Sequence, residues 1–334
     1  GTFPGCMIMR NMRSGCQVLG YQLFHKRTPL KINFISTYRC NGRCVYCDVD
    51  SCEQQEELTT VQAQDMIRSF RSLGAQHITF IGGEPLLRED IGELVSYAKG
   101  LKMLTTISSN ALLFREAEWL NDLDLFICCL NGPEDVHDAT RGKGSYEKAI
   151  QVLSTSHGRF ATMILTKQNI KYMDFVLAKG KELGFWVNFQ PVFYNELAKA
   201  DTKDLDGVIL PARQVKKAFS YITRRKRAGD PIVNSPSAIR HFAERGFARF
   251  GRCHHGGLSV TVDPSGNLYQ CYKFVNGAGV KGMAQGWKEA YQSMPLHPCT
   301  DCHYGCHIED NLLFNLDPGS VLNLLKLGRI FTDG

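Results

Sequence analysis

The 334-residue sequence contains no run of about 18 consecutive apolar residues, so no membrane-spanning helix is expected. Its first thirty residues, GTFPGCMIMRNMRSGCQVLGYQLFHKRTPL, lack the unbroken apolar core of a secretion signal. They also lack any stretch that reads as a separate leader-recognising domain. No aromatic ladder or nucleic-acid module accompanies the basic run Arg224-Arg225-Lys226-Arg227, which therefore reads as a solvated helix face, and no nucleic-acid partner is expected. The net charge of +6 (pI about 8.6) permits an anionic partner without demanding one. A disulfide framework is missing too. Although 13 cysteines is a high count, most fall in two tight groups, which argues for metal clusters in a reducing, cytoplasmic setting. With 43% hydrophobic and 22% charged residues, the composition is that of an ordinary globular protein with one large and one smaller domain.

The first group lies in KINFISTYRCNGRCVYCDVD, where Cys40, Cys44 and Cys47 follow the spacing C-x3-C-x2-C directly after a strand-like apolar run. A cubane iron–sulfur cluster takes about four thiolates, so three on one loop leave one iron open for an outside ligand. The spacing alone also suits zinc.

From Ile32 to Gln190, short β-branched or aromatic runs alternate with longer amphipathic stretches. Strands are expected at 32–36, 77–81, 103–107, 125–130, 160–165 and 186–190, and helices at 59–73, 91–101, 115–121, 146–154 and 171–183. Such alternation predicts an α/β fold with a parallel sheet and helices outside. Polar motifs stand just after the strands: Gly82-Gly83-Glu84-Pro85, Ser108-Ser109-Asn110, Cys129-Leu130-Asn131-Gly132-Pro133 with His137–Gly142, and Thr166-Lys167-Gln168-Asn169.

The three-cysteine loop, with Tyr46 directly before its third cysteine, and the Gly-Gly-Glu-Pro turn after the second strand together resemble the radical S-adenosylmethionine (SAM) superfamily. The resemblance implies a partial (β/α)6 TIM barrel over 31–207, with the site at the strand C-termini. It implies that Cys40, Cys44 and Cys47 hold a [4Fe–4S] cluster whose open iron chelates SAM, and that one electron then yields a 5'-deoxyadenosyl radical. Tyr46, Gly82, Gly83, Glu84, Pro85, Ser108, Ser109, Asn110, Cys129, Asn131 and Asn169 are the implied SAM-contacting positions. The glycines are expected to let the backbone approach that ligand. Relatives usually carry Ser and Asp where Cys129 and Asn131 stand, which puts a charge contact or base role at 131 in doubt. Arg141 is expected to anchor a carboxylate, of SAM or of the substrate, through its planar fork.

The second group comprises Cys253, Cys271, Cys299, Cys302 and Cys306. Residues 258–262 and 267–272 read as a hairpin around Asp263-Pro264-Ser265-Gly266, with a helix near 286–293. The pattern resembles the twitch or SPASM auxiliary-cluster domain of radical SAM enzymes, a small hairpin–helix unit over 253–310. Five cysteines cannot complete two cubanes. One auxiliary [4Fe–4S] cluster is therefore expected on Cys253, Cys271, Cys299 and Cys302, with Cys306 spare or substituting. A structural zinc site is the alternative. His254, His255, His303 and His307 read as groups that steady the ligands or lie at the surface. Cys6, Cys16 and Cys52 read as incidental, and Cys128 as a buried strand residue.

A basic segment (1–30) is expected to form a helix outside the barrel, with a membrane-surface role as the alternative. A helical bridge spans 208–252, and an apolar helix at 311–334 is expected to pack against the barrel or close its open bottom or side, with a lipid-contacting or dimer-forming role as the alternative. The expected function is an oxidoreductase or bond-forming radical SAM enzyme that modifies a peptide or protein. The alternatives are oxidation or rearrangement of a sugar, alcohol or membrane lipid, and, more remotely, a non-catalytic iron–sulfur or zinc protein. A flavodoxin or ferredoxin is the expected electron donor, and peripheral membrane contact is left open.

Overall fold

The computed structural model describes residues 12–47, 49, 56–155, 160–192, 205–247, 251–275, 277–299, 302 and 304–332, with side chains from 14 to 326. Cys6, Cys52 and His303 lie outside these residues. Six parallel strands form one sheet: β1 (Lys31–Thr37), β2 (His77–Gly82), β3 (Leu104–Ser108), β4 (Leu125–Cys129), β5 (Phe160–Leu165) and β6 (Trp186–Pro191). Helices α2 (Thr60–Leu73), α3 (Ile91–Gly100), α4 (Glu134–Arg141), α5 (Ser145–Leu153) and α6 (Met173–Leu183) connect them. The outward residues of the strands, such as Ile32, Phe34, Ile78 and Phe80, pack against helical residues such as Met66, Ile67, Phe70, Leu94 and Val95. Helix α2 starts at a capping box of Thr59 and Gln62, and stops at Gly74, whose φ of +118° suits a residue without Cβ.

The helix expected at 115–121 is only a short 3-10 turn, Glu118–Asp122. Ala117 before it is extended and offers no side-chain cap, and so short a segment gains little from helix propagation.

The C-terminal hairpin is not set apart from this sheet. Strand β7 (Ser259–Val262) pairs in parallel with β1, from Lys31 opposite Ser259 to Phe34 opposite Val262. Strands β8 (Asn267–Tyr269) and β9 (Val280–Lys281) follow antiparallel, giving the order β6-β5-β4-β3-β2-β1-β7-β8-β9. The hairpin turn is fixed by Asp263 Oδ1, which accepts from the backbone N–H of Ser265 and Asn267 at 3.0 and 2.8 Å.

The sheet does not close on itself, its edges being β6 and β9, and helix α11 (Gly305–Phe314) packs across the gap, reaching both β1 and β6. Its Asp310 pairs with Lys31 of β1 at 2.9 Å, and its Gly305 packs on the Gln190 side chain of β6. Helix α12 (Pro318–Thr332) extends the seal, with Ser320 bonded to Ser235, Asn323 to the Val233 carbonyl and Leu324 buried. The segment expected as one apolar helix over 311–334 is instead the end of α11 and the whole of α12, parted at Leu316 with a left-handed φ of +55°. Helix α1 (Met12–Phe24) covers the opposite, N-terminal end of the strands. Its Val18 and Tyr21 bury against Leu30, Leu104, Leu258 and Phe314.

The bridge forms α7 (Ala212–Arg227) and α8 (Pro236–Arg245), which Gly229-Asp230-Pro231 separates. Its basic run is only half solvated. Arg225 reaches Asp174 at 2.6 Å and also pairs with Asp230, while Lys226 donates to the Ile232 carbonyl at 2.7 Å. Helix α10 (Trp287–Ser293) and the short α9 (Gly282–Gln285) complete the described elements.

Candidate active site

The loop that follows β1 crosses the C-terminal end of the sheet and is pinned at several points. Gly83 N–H donates to the Thr37 carbonyl and Glu84 N–H to the Arg39 carbonyl, both at 2.8 Å, and Val45 N–H reaches the Thr140 carbonyl at 3.0 Å. A Cβ on Gly82 would lie 2.2 Å from Thr37 O, and one on Gly83 would lie 2.2 Å from Arg39 O. The two glycines are thus required by the close approach of the thiol loop itself. Pro85 is buried and opens the short 3-10 turn that follows.

Glu84 is fully buried and joins two loops. Its carboxylate accepts from Ser109 Oγ at 2.7 Å, Asn110 N–H at 2.7 Å and Leu86 N–H at 3.0 Å. Asn110 in turn donates to Asn41 at 2.8 Å and places its amide 4.0 Å from Cys40 Sγ. Gly42 N–H donates to the same sulfur at 3.4 Å. Burial pushes the Cys47 thiol up to about 11 and raises the Cys40 thiol, and Cys44 adds to both. A bound metal reverses that balance, because it favours the thiolate. Three neighbouring thiols on one loop, one of them receiving N–H donors, fit an iron–sulfur cluster.

On the far side of the loop, Tyr46 Oη accepts from Arg141 Nη1 at 2.7 Å and from Asn131 Nδ2 at 2.9 Å. Asn131 also donates to Thr140 Oγ1 at 3.2 Å and accepts from Ile164 N–H at 3.1 Å. An aspartate could not make the two donations, so the neutral amide suits this position. Arg141 is buried with its guanidinium on Tyr46, near Cys129 and Cys44. Asn169 accepts from Thr166 N–H at 2.8 Å and donates to the Ile164 carbonyl at 2.7 Å, which makes it a strut of the turn after β5.

Residues 34–173 match the model of the Radical SAM superfamily. That segment is a radical SAM domain, as the sequence resemblance implies. The chain is 25% identical over 258 residues to the mycofactocin maturase MftC of Mycolicibacterium smegmatis, covering 73% of this chain and 64% of that protein. The chain therefore spans somewhat less than two thirds of that relative's length. Among solved structures, Streptococcus suis SuiB bound to S-adenosylmethionine superposes with a TM-score of 0.64 at 15% identity, covering 85% of this chain and 71% of SuiB. SuiB bound to its precursor peptide SuiA gives a TM-score of 0.64 at 14% identity, with 85% and 70% covered. These likenesses support the α/β partial barrel.

The second thiol group of this chain is assembled from distant pieces. Cys253 precedes β7, Cys271 follows β8, Cys299 and Cys302 lie in the loop before α11, and Cys306 is on that helix. Cys253 and Cys271 feel each other and Cys299, and Cys302 feels Cys306, Cys271 and Cys253. Burial leads in raising the thiols of Cys253, Cys271, Cys302 and Cys306, pushing Cys271 up to about 12. Amides of Asn311 and Gln270 stand 3.8 and 4.0 Å from Cys253 Sγ. Among the described residues no three His, Cys, Asp or Glu side chains converge as ligands of a single metal ion do. A cluster spreads its thiolates over several irons, and the donor set fits one. No disulfide forms among the described cysteines; Cys16 is exposed and Cys128 buried.

The flanking histidines are not at the surface. His254, His255 and His307 are all at most 2% exposed. His254 bonds Asn315 at 2.9 Å, His255 bonds Ser259 at 2.6 Å, and His307 stacks on Tyr272 at 5.2 Å.

Inside the barrel lies a cavity of about 330 Å³, bordered by the sheet, α11 and α12. Cys129 and Cys306 both border it, as does Ser108. Cys306 is exposed and borders this lumen. Sequence reasoning missed several polar lumen residues: Lys31, Asn33, His77, Thr79 and Thr106. The signal was present, since each occupies an alternate position in an otherwise apolar strand.

Proposed function

We propose that this chain cleaves SAM reductively and abstracts a hydrogen atom from a carbon of a peptide or protein substrate held in the lumen. The observation that carries the reading is the pinned thiol loop: Cys40, Cys44 and Cys47 held at the C-terminal end of the sheet by Gly82, Gly83 and Glu84. When bound, the cluster and SAM supply a 5'-deoxyadenosyl radical. The protein's own part is to fix the loop, orient the ligand and exclude water. Glu84 keeps the Ser109–Asn110 turn against the loop, and the Tyr46–Asn131–Arg141 contacts brace it from the other side. The enclosing helix α11 keeps solvent from the open edge of the sheet.

The peptide class is supported by the maturase relative and by the peptide-bound structural neighbour. Cys253, Cys271, Cys299 and Cys302 would hold one auxiliary [4Fe–4S] cluster, and a flavodoxin or ferredoxin would supply electrons. The test is anaerobic incubation of reconstituted protein with SAM and dithionite. Release of 5'-deoxyadenosine, abolished in the Cys40/Cys44/Cys47→Ala protein, is expected; no release from protein with full iron content overturns the reading. Candidate peptides encoded beside the gene, followed by mass spectrometry, test the substrate class.

A further inference from the structure

The N-terminal end of the barrel, away from the thiol loop, is covered by two helices. Helix α1 crosses the ends of β1, β2, β3 and β7. Its Val18 and Tyr21 bury against Leu30, Leu104 and Leu258, and Ser14 Oγ donates to Gln76 Oε1 at 2.9 Å. Helix α12 crosses the ends of β4, β5 and β6. Its Asn323 donates to the Val233 carbonyl at 3.0 Å, and Val233 packs with Leu125, Phe160 and Trp186, the residues that open those strands. The end of α11 links the two, since Gln22 of α1 donates to the Phe314 carbonyl at 2.6 Å just before α12 begins.

Each helix uses its inner face for these contacts and turns an apolar stripe outward. Leu19 and Leu23 of α1 are 47% and 69% exposed, followed by Phe24 at 77%. Leu322 and Leu325 of α12 are 66% and 45% exposed. Spacings of four and three residues put each leucine pair on one side of its helix. More than half of the exposed large hydrophobic residues in the described structure thus gather at this one end.

Charge decides what such a face fits. Neither helix carries an acidic residue, and the chain has none before Asp48. Lys26 follows Phe24, Lys102 precedes the Leu104 on which α1 packs, and Lys326 follows Leu325. Arg227 ends α7 beside Lys226, which feels the charge of Lys326. Those four cations, Lys26, Lys102, Arg227 and Lys326, are exposed and have no ion pair among the described residues. Acids nearby are already matched, Asp124 with Lys99 at 2.6 Å and Asp230 with Lys181 at 2.5 Å. A second copy docking here about a two-fold axis would bring like charges together. An anionic bilayer satisfies both features, with its acyl boundary for the leucines and its headgroups for the cations.

We propose that the face formed by α1 and α12 docks on an anionic lipid bilayer. The thiol loop, at the other end of the strands, then faces away from the lipid. The docking does not rest on the catalytic reading, because it uses none of that site's residues.

The experiment is flotation of the reconstituted full chain with phosphatidylcholine vesicles, with and without phosphatidylglycerol. Binding should be at least about tenfold tighter with phosphatidylglycerol and should weaken as salt rises. A basic residue beside an anionic surface is worth about fivefold in affinity, so Lys102→Gln/Arg227→Gln/Lys326→Gln should bind about a hundredfold more weakly. Leu23→Gln/Leu322→Gln should lose about tenfold or more. All five positions are exposed, and circular dichroism with iron content checks that the fold is kept. No binding to either vesicle, a smaller preference for phosphatidylglycerol, or folded variants that float like the wild type each overturn the proposal. So does a wild-type dimer in sedimentation velocity that the leucine substitutions dissociate, which would assign the face to a second copy. Should a variant fail to fold, the wild-type preference and its salt dependence decide.

Discussion

The two thiol groups differ in how they are built. Cys40, Cys44 and Cys47 share one loop, and the rest of the site is arranged to press that loop down, through Gly82, Gly83, Glu84 and Val45. Cys253, Cys271, Cys299, Cys302 and Cys306 come from a hairpin, a loop and a helix, and meet only because β7 joins the sheet beside β1. The packing between the groups is direct. Tyr269 and Val275 of the hairpin region cluster with Tyr38, and Cys40, Cys47, Tyr272 and Phe274 pack against them. A local motif needs scaffolding against movement, whereas a dispersed one needs the fold to exist first. The first should therefore fail by losing chemistry, and the second by losing structure.

The largest effects should come from breaking each group outright. The Cys40/Cys44/Cys47→Ala protein should lose about four of about eight irons and all SAM-dependent change in the electron paramagnetic resonance signal, with little loss of fold. Replacing Cys253, Cys271 and Cys299 by Ala should also remove about four irons, but lower the unfolding midpoint of the reconstituted protein as well. About four irons with one zinc in the wild type would instead assign the C-terminal group to zinc.

Next comes the scaffold of the first group. Gly83→Ala would force a Cβ to within 2.2 Å of Arg39 O, so the thiol loop must shift. A destabilisation of about 1–3 kcal/mol in urea unfolding, together with reduced iron retention, is expected. Glu84→Gln removes the charge from three hydrogen bonds and should cost about 1–3 kcal/mol while weakening SAM binding.

On the side of the second group, α11 carries a pH-dependent contribution. Burial pushes the Glu309 carboxyl up to about 7, against an ordinary value of 4.5. Between those values the folded protein holds a proton that the unfolded chain has lost, so stability is greatest below about 4.5 and falls as pH rises toward 7. Other groups titrate in the same range, so the readout is a difference. Glu309→Gln should gain on the wild type between pH 5 and pH 7, measured by urea midpoints, and a constant difference would refute the assignment.

The smallest effect is expected at Ala111, which holds a left-handed φ of +65° next to the buried Glu84 network. Ala111→Gly removes that strain but loses a buried methyl and adds unfolded-state entropy, so the net change should stay within about 1 kcal/mol. A thermal melt checks it.

Much of this was legible in the sequence. The strand periods placed β1 to β6 within a residue or two, because each is bounded by a turn and followed by an amphipathic helix. The motif residues fell at strand C-termini as expected, since a parallel sheet puts all those ends on one face. What the letters Gly82-Gly83-Glu84 do was less legible: their closest partners, Thr37, Arg39 and Ser109, are distant in sequence. The short segment at 115–121 carried a helical pattern without a cap, and pattern alone did not suffice.

The sequence by itself determined the local chemistry: three thiols on a loop after a strand, small and polar residues at the strand ends, and a turn at Asp263–Gly266. Each depends on residues near one another along the chain. The tertiary structure alone decided that β7 extends the barrel sheet, that α11 brings Cys306, His307 and Asp310 to the lumen, and that Asn33 and His77 share a wall with them. These relations join segments more than two hundred residues apart, and no spacing or periodicity encodes which distant surfaces will bury one another.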